Sequence, residues 1–268
     1  MLSLQFPVTP IKDHKLKTVA LIQARMSSSR LPGKVLQEIA GQPMLWRVIR
    51  RATQARLVDL TAVITSTQED DDAIARLCKA KGIACFRGSL DDVLDRYYQA
   101  AIYFQANVVV RLTADCPLLD PKIIDKVVQA FHEGTFDYVS NTLECTYPDG
   151  LDTEVFHFEA LERAWKEARL RSEREHVTAY FFKHPELFRL GSVKQEQDLS
   201  ALRWTVDTSR DLELVRTIYN FFKDVEFGMD DILKLLKEHP EVTELNSGQQ
   251  RNEGYQKSLR EDREVQTD

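Results

Sequence analysis

The alternation of short β-branched runs with amphipathic helical patterns constrains the fold of this chain more than any other feature. Four apolar runs of strand type are separated by segments in which apolar residues recur at helical spacing. Such alternation is typical of βαβ units, in which parallel strands form one sheet and helices cover it. The predicted strands are 18–24, 61–66, 83–87 and 107–113, and the predicted helices between and after them are 44–52, 73–80, 93–104 and 121–131.

Beyond residue 131 the pattern is less regular but remains mixed α and β. A strand is predicted at 137–141, and an alternating run at 153–158 predicts another, expected to pair with 188–193. A length of 268 residues is compatible with one large α/β domain or two small ones, and we expect one. The remaining predicted elements are helices at 159–170, 173–183, 209–222 and 229–237.

Charge is distributed unevenly along the chain. The 36 basic and 42 acidic residues give a net charge of −6, which argues against non-specific binding of nucleic acid. Between His14 and Val58, however, nine basic residues accompany one acid, Glu38, for a local net charge of +8. A cationic segment on an acidic protein indicates a small anionic ligand. Four of the nine fit the polar face of the first predicted helix, namely Arg47, Arg50, Arg51 and Arg56.

Membrane contact and cysteine chemistry are not indicated by the sequence. No apolar run approaches the roughly 18 residues that span a bilayer, and residues 1–15 lack the apolar core of a signal peptide, so we expect a cytoplasmic protein. The four cysteines form no C-x-x-C pair, which argues against a zinc site or a disulfide framework. The last twenty residues contain only three bulky apolar side chains and are expected to stay outside the core as a mobile or partner-contacting tail.

The most informative segment is the loop that follows the first strand, within residues 20–36. It contains three serines, a glycine, a proline and the cations Arg25, Arg30 and Lys34. Ligands of open parallel sheets bind beyond the carboxyl ends of the strands, where backbone N–H groups and basic side chains suit phosphate oxygens. Neither G-x-x-x-x-G-K-[ST] nor G-x-G-x-x-G is present. The alternative interpretation is a solvated surface loop with incidental basic residues.

The pattern R-x-x-S-x-R-L-P-G-K, from Arg25 to Lys34, resembles the nucleotide-binding signature of the sugar cytidylyltransferases, which include the CMP-sialic acid and CMP-3-deoxy-manno-octulosonate synthetases. The chain is most similar to the spore-coat polysaccharide biosynthesis branch. The similarity extends from Lys17 to Leu236 through GQPMLWRVIRRA (41–52), RLTADCPLLDP (111–121), YPDGLDTEVF (147–156), REHVT (174–178) and WTVDTSRDLELVR (204–216).

The resemblance implies a Rossmann-like, three-layer nucleotide-diphospho-sugar transferase fold with a mostly parallel central sheet. It divides the chain into an N-terminal extension (1–16), a nucleotidyltransferase domain (17–243) and a charged C-terminal tail (244–268), with a small β/helical region for dimerisation and acceptor binding inserted at about 142–203. The implied reaction transfers CMP from CTP to a sugar, in particular a 2-keto sugar acid, and releases pyrophosphate for surface glycan biosynthesis. The implied assembly is a homodimer.

The resemblance also assigns roles to residues of this chain. Catalytic roles are assigned to Arg25, Lys34, Asp115 and Asp207. Nucleotide binding is assigned to Gln23, Ala24, Arg25, Ser28, Arg30, Lys34, Arg111 and Thr113.

Two aspartates are candidate ligands of Mg²⁺. Asp115 follows the fourth predicted strand at the carboxyl edge of the sheet, where a carboxylate suits a Mg²⁺ ion shared with phosphates. Asp207 precedes Thr-Ser and an apolar helix, so it is equally compatible with a helix N-cap. The resemblance assigns Mg²⁺ to both, because they match the family's G-D-x-P and V-D-T-x-x-D-L patterns. Ala114 stands where the family has a glycine.

Acidic residues and a histidine in two later motifs suit the hydroxyl groups of a sugar acceptor. The alternative is a plain turn at Asp149-Gly150 and a solvated helix face at 173–176. The resemblance assigns acceptor binding to Tyr147, Asp149, Asp152, Glu154, Glu175 and His176. A sugar acid also requires a cation for its carboxylate, and the sequence does not choose among Arg171, Arg174 and Arg203.

Three other functions remain compatible with the sequence. A glycosyltransferase that uses a nucleotide sugar shares the fold and the metal chemistry. A molybdopterin or other non-sugar nucleotidylyltransferase has a similar first loop. A nucleotide-binding regulator keeps the fold without turnover, because a fold does not guarantee activity.

Overall fold

A seven-stranded sheet with helices on both faces organises the chain. The computed structural model describes residues 16–223, 225–248, 251 and 253–265, so residues 1–15 of the predicted N-terminal extension lie outside the described residues. The strands are β1 (Thr18–Gln23), β2 (Glu38–Ile39), β3 (Gln42–Pro43), β4 (Leu60–Ser66), β5 (Ala84–Gly88), β6 (Val108–Thr113), β7 (Tyr138–Ser140), β8 (Glu154–His157) and β9 (Leu190–Ser192). The helices are α1 (Met44–Ala52), α2 (Asp72–Lys81), α3 (Val93–Phe104), α4 (Pro121–Glu133), α5 (Phe158–Glu167), α6 (Arg171–His176), α7 (Ala179–Lys183), α8 (Ser209–Phe222), α9 (Met229–Glu238), α10 (Pro240–Glu244) and α11 (Glu253–Arg260).

The strand order in the sheet is β5-β4-β1-β6-β8-β7-β9, and β2 pairs with β3 in a separate hairpin. β5, β4, β1 and β6 run parallel, as the alternating pattern predicts. β8 is antiparallel to both of its neighbours, β6 and β7, and β9 is parallel to β7. The prediction that 188–193 pairs with 153–158 is wrong, because β6 and β7 already occupy both edges of β8.

The central strands divide their side chains between two hydrophobic cores. In β1, Ala20 and Ile22 pack with residues of α1, α4, α8 and α9, while Val19 and Leu21 pack with residues of α3, α5 and α7. All four side chains are fully buried. The division follows from the alternation of side chains along a strand, and a continuous apolar run therefore marks a strand that is covered on both faces. The predicted three-layer α/β fold is confirmed.

The predicted helices mostly match the observed ones. α1, α3 and α8 have the predicted bounds. The predicted helix 173–183 is instead two helices, α6 and α7, because Val177 between them adopts a φ of 55°, outside the helical region. The hairpin β2–β3 and the helices α10 and α11 were not predicted. None of the helices in the described ranges is long and apolar enough to cross a membrane.

Arg51 departs from its predicted place on the polar face of the first helix. It is only 7% exposed and donates hydrogen bonds at 3.0 Å to the Tyr219 hydroxyl and to the carbonyls of Leu119 and Phe227. Its guanidinium also lies over the Phe227 ring, 4.1 Å from the centroid. Because these partners replace water, Arg51 joins α1 to α8, and the prediction of a solvated side chain is wrong for this residue.

Candidate active site

A cavity of about 1020 Å³ opens at the carboxyl ends of β1 and β6. This is the edge at which ligands bind in open parallel sheets. The loop after β1, the segment after β6, and residues of α3, α6 and α11 form its wall. Seven basic and five acidic side chains line it. The excess of positive charge favours an anionic ligand.

The loop after β1 is fixed by two local features. Asp71 accepts hydrogen bonds from the backbone N–H groups of Met26, at 2.7 Å, and Ser66, at 3.1 Å, which ties the loop to the end of β4. Gly33 has a φ of 69°, and its N–H donates to the Met26 carbonyl at 3.0 Å. This left-handed conformation favours glycine and explains why one precedes Lys34 in the motif.

Lys34 lies between the two candidate metal-binding aspartates. Its ammonium donates hydrogen bonds to Asp115 Oδ2, Asp207 Oδ1 and the Val206 carbonyl, each at 2.8 Å. Burial lowers the pKa of Lys34, but the charges of Asp115 and Asp207 outweigh burial and the pKa is raised. Burial likewise raises the pKa of Asp115, but Lys34 reverses this effect and brings the pKa to about 2. Lys34 and Asp115 therefore form a charged pair at neutral pH.

Asp207 also binds two arginines. Its Oδ2 lies 2.9 Å from Arg30 and accepts a hydrogen bond at 2.7 Å from Arg203. The N-cap of α8 is Thr208, whose hydroxyl accepts from the Asp211 N–H in a capping box. The interpretation of Asp207 as the N-cap is therefore wrong, and its carboxylate faces the cavity instead.

Most of the residues that the sequence assigns to the site line this one cavity. Ala114, which replaces the family's glycine, lies in the same wall and is 2% exposed. The predicted site residues that line the cavity are Gln23, Ala24, Arg25, Ser28, Arg30, Lys34, Thr113, Asp115, Glu175, His176 and Asp207. The five that are outside its lining are Arg111, Tyr147, Asp149, Asp152 and Glu154.

Arg111 and Glu154 form an ion pair within the sheet. They occupy directly opposed positions of β6 and β8, where side chains on the same face meet. Tyr138 on β7 donates its hydroxyl hydrogen to Glu154 at 2.6 Å. The structure therefore uses these three polar side chains to join neighbouring strands beside the cavity.

Asp149 and Asp152 pair with arginines. Asp149 lies 2.8 Å from Arg203, and Asp152 accepts a hydrogen bond from Arg251 at 2.5 Å. Burial raises the pKa of both carboxyls, while the charge of Arg251 opposes the rise. Of these four residues only Arg251 lines the cavity.

The turn that follows Asp149 requires a glycine. Gly150 has a φ of 111°, and a Cβ added there would lie 2.6 Å from the Thr205 nitrogen. Tyr147, nearby in the same motif, is 2% exposed, and its hydroxyl accepts a hydrogen bond from Lys126 at 2.8 Å. The interpretation of Asp149-Gly150 as a turn is confirmed, and Tyr147 belongs to the core.

Comparison with known proteins is consistent with this geometry. The family model described as cytidylyltransferase matches residues 19–258. The chain belongs to the cytidylyltransferase family. This cytidylyltransferase is 31% identical over 230 residues to the spore coat polysaccharide biosynthesis protein SpsF of Bacillus subtilis, covering 83% of this chain and 95% of the relative. It is 40% identical over 117 residues to a 3-deoxy-manno-octulosonate cytidylyltransferase of Anaeromyxobacter dehalogenans, covering 42% and 47%.

A solved cytidylyltransferase from Leptospira borgpetersenii has the same fold. Its TM-score is 0.83 at 32% identity, and the match covers 88% of this chain and 99% of that one. These comparisons confirm the predicted family, the fold class and the enzyme class. This cytidylyltransferase is a nucleotidyltransferase.

The C-terminal helix is the main part of this cytidylyltransferase's site that sequence reasoning missed. As expected, no described residue after 248 belongs to either hydrophobic core. α11 nevertheless lines the cavity, Glu253 lies 2.7 Å from Arg30, and Ser258 is only 9% exposed. The expected mobile or partner-contacting tail is therefore placed, in its described residues, against the site. Its polar composition hid this role, because hydrogen bonds and ion pairs, together with aromatic contacts of Tyr255, connect it to the site.

His176 contacts α11, and its burial favours the neutral form. Its Nε2 lies 2.9 Å from the Ser258 hydroxyl, which also donates to Glu175 at 3.2 Å. Burial lowers the pKa of His176 to about 4, although the charge of Glu175 opposes the shift. The interpretation of 173–176 as a solvated helix face is wrong for His176, whose ring also meets Tyr255 edge-on.

The three candidate cations for an acceptor carboxylate are now distinguished. Arg174 is 5% exposed and binds Asp92, with its Nε at 2.9 Å, while Arg203 binds aspartates at 2.7 to 3.2 Å. Arg171 lines the cavity, and its carboxylate partner Glu175 lies 4.0 Å away. Arg171 is therefore the one of the three that faces the ligand space.

Proposed function

We propose that this cytidylyltransferase transfers CMP from CTP to a hydroxyl of a sugar, specifically a 2-keto sugar acid of sialic-acid or octulosonate type. The observation that carries the proposal is the convergence of the loop after β1 with Asp115 and Asp207 in one cationic cavity. The name of the Anaeromyxobacter relative includes 3-deoxy-manno-octulosonate, and that of the Bacillus relative spore coat polysaccharide biosynthesis. Both support a role in surface glycan synthesis.

The proposed reaction is an in-line displacement at phosphorus. The acceptor hydroxyl oxygen forms a bond to the α-phosphorus of CTP, the bond from that phosphorus to the bridging oxygen breaks, and pyrophosphate leaves. The hydroxyl proton passes to solvent. Such a step needs alignment and neutralisation of charge rather than a covalent intermediate.

Residues of the loop after β1 supply positive charge for the phosphates in this proposal. Arg25, Arg30 and Lys34 line the cavity, and the fixed turn at Gly33 orients the loop. Charged hydrogen bonds from these side chains would strengthen as negative charge develops on the departing pyrophosphate. Arg30 and Lys34 already contact carboxylates, so phosphates compete with those carboxylates for them.

Mg²⁺ is the cofactor that we propose for Asp115 and Asp207. Both carboxylates line the cavity, and the Cys116 thiol lies 3.7 Å from Asp115 Oδ1. Carboxylate oxygens shared with phosphates suit Mg²⁺, which would polarise the α-phosphoryl group. Within the described ranges no group of three or more His, Cys, Asp or Glu side chains is arranged to hold a metal ion. The remaining ligands would therefore be phosphate and water oxygens.

The acceptor side of the cavity is formed by α6. Glu175 can accept hydrogen bonds from sugar hydroxyls, neutral His176 can donate or accept one, and Arg171 supplies a cation for a carboxylate. Asp149, Asp152 and Glu154, which are paired with arginines, are proposed to shape this region from behind the wall.

Pyrophosphate release measured with CTP, Mg²⁺ and a panel of sugar acids tests the proposal. Release that requires both CTP and N-acetylneuraminate or 3-deoxy-manno-octulosonate is expected, with UTP, GTP and ATP as nucleotide controls. Tight CTP binding without turnover on any acceptor would indicate a regulator instead. Sugar transfer from a preformed nucleotide sugar would indicate a glycosyltransferase. We also propose a homodimer, which light scattering after size-exclusion chromatography checks.

A further inference from the structure

Arg96 is a buried cation in the cavity wall that the roles proposed above do not include. It lies near the start of α3 and is 2% exposed, yet it lines the cavity. Gly88 at the end of β5 makes room for it, because a Cβ there would lie 3.1 Å from Arg96 Cγ. The fold therefore accommodates a large cationic side chain at a place where its charge is removed from bulk water.

Among the described residues, no carboxylate forms an ion pair with Arg96. Its Nη1 donates to the Ser89 carbonyl at 2.6 Å, and its Nε has no hydrogen-bond partner in the described part of the chain. The neighbouring acids are already engaged, because Asp71 binds the loop after β1 and Asp92 binds Arg174. Burial lowers the pKa of Arg96, and the charge of Arg25 acts in the same direction, while Tyr97, Asp71 and Asp92 oppose the shift without reversing it. An unpaired buried charge is costly, so a site of this kind favours an anion.

Two other buried arginines, Arg51 and Arg203, are satisfied by partners within the protein. Arg51 uses a hydroxyl and two carbonyls, and Arg203 binds the carboxylates of Asp149, Asp207 and Asp211. These arginines have structural partners that account for their burial. Arg251 also lines the cavity and has an Nε without a hydrogen-bond partner, but it forms an ion pair with Asp152. Arg96 differs because it lines the cavity and forms no ion pair among the described residues.

Arg25 is another weakly compensated cation of the cavity. Its carboxylate partner is Glu175 at 3.9 Å, the long end of an ion pair, and its side chain is 44% exposed. Lys34 is balanced by Asp115 and Asp207 at 2.8 Å. Arg171 is compensated no better, since Glu175 lies 4.0 Å away, but Arg25 is the one whose charge also lowers the pKa of Arg96. Arg25 and Arg96 can therefore act on one ligand group.

We propose that Arg96 is a ligand-binding residue that forms, together with Arg25, a subsite for an oxyanion of the substrate. The planar guanidinium fork suits phosphate and carboxylate oxygens, and the free Nε of Arg96 is the donor that such an oxygen would accept. This inference rests on the proposed function and deepens it. The oxyanion is either a phosphate of the nucleotide or the carboxylate of the sugar acid.

The test compares Arg96→Met and Arg96→Lys with Arg51→Met in the full chain. Arg51→Met removes a buried arginine outside the cavity lining, so it controls for lost stability. Arg96→Lys keeps the positive charge but lacks the planar guanidinium group. It provides a second variant for the test if Arg96→Met does not fold. Isothermal titration calorimetry measures the Kd of CTP, cytidine, sodium pyrophosphate and 3-deoxy-manno-octulosonate for each variant.

If the subsite binds a phosphate, Arg96→Met raises the Kd of CTP and of pyrophosphate by about tenfold to a hundredfold. Arg96→Lys raises these two Kd values less. The Kd of cytidine does not change in either variant. For a carboxylate subsite, only the Kd of the sugar acid rises to that extent. If the folded Arg96 variants and the Arg51→Met control bind CTP, pyrophosphate and the sugar acid with equal Kd values, the inference is overturned.

The proposed function has a separate readout in the same experiment. If the wild type binds pyrophosphate, the Arg96 variants bind it more weakly, and neither CTP nor the sugar acid binds the wild type, the proposed function is refuted but the subsite stands. A wild-type chain that binds none of the four probes would refute both.

Discussion

The Lys34 ammonium lies 2.8 Å from the Asp115 carboxylate and joins the loop after β1 to the loop after β6. The sequence indicated separate tasks for these residues, a phosphate contact for Lys34 and a metal contact for Asp115. In the structure one buried ammonium also binds Asp207, so the cation and both acids form a single charged cluster. Changes to any member of the cluster should therefore affect stability as well as activity.

Lys34→Met should lower the free energy of unfolding by about 2–4 kcal/mol, because two carboxylates lose the ammonium that balances them. Lys194→Met is the matched control, since Lys194 binds Glu144 at the same 2.8 Å distance but at the exposed surface. The control should change stability by less than about 1 kcal/mol. Urea unfolding at neutral pH measures both, and equal values would contradict a structural role for the cluster.

Asp115→Asn and Asp207→Asn should each lower kcat/KM by at least about a hundredfold while the fold remains intact, because an amide is a poor ligand for Mg²⁺ and does not balance Lys34. Pyrophosphate release at varied Mg²⁺ concentration gives the rates, and circular dichroism checks the fold. Asp198→Asn, in an exposed loop, serves as the control. Near-normal turnover in either variant would remove that residue from the metal site.

Glu253→Gln should tighten CTP binding by about twofold to fivefold. The Glu253 carboxylate lies 2.7 Å from Arg30 and would compete with phosphate oxygens for it at a partly exposed position. Calorimetric titration with CTP measures the effect, with Glu196→Gln as a surface control. Weaker binding in Glu253→Gln would instead show that α11 contributes a favourable contact to the ligand.

Asp137→Asn should make the free energy of unfolding less dependent on pH in the acid range. Hydrogen bonds from Arg189, at 2.9 and 2.7 Å, lower the pKa of Asp137 below its ordinary value of 3.8 and link β7 to β9. Since the folded-state pKa is depressed, the stabilisation is fully present above pH 3.8 and is lost as the pH falls through the lower folded value.

At pH 7 the Asp137→Asn variant should be less stable than the wild type by about 1 kcal/mol, and the gap should narrow below pH 3.8. Urea titrations from pH 7 to pH 2.5 check this. A gap that stays constant with pH would show that the pair does not control the acid response.

The sequence by itself determined the elements and the identity of the binding loop. Apolar runs such as Val19–Ile22 specify strands buried on both faces, and the residues from Arg25 to Lys34 identify the loop, because periodicity and turn chemistry depend on near neighbours. The same reasoning predicted β8 but not the position of β9 in the sheet. β9 pairs with β7 because β6 and β7 already occupy both edges of β8.

Tertiary structure alone decided which polar groups meet. Lys34 and Asp207 are 173 residues apart, and Arg30 reaches Glu253 across 223 residues. No local pattern records such pairs, so Arg51 and Arg96 look alike in sequence as charged residues of amphipathic helices. Folding buries both, but it supplies a partner to each bonding nitrogen of Arg51 described above, whereas the Arg96 Nε has no hydrogen-bond partner in the described part of the chain. The cost of burying a charge depends on what surrounds it in space, and that environment is set only when distant segments pack together.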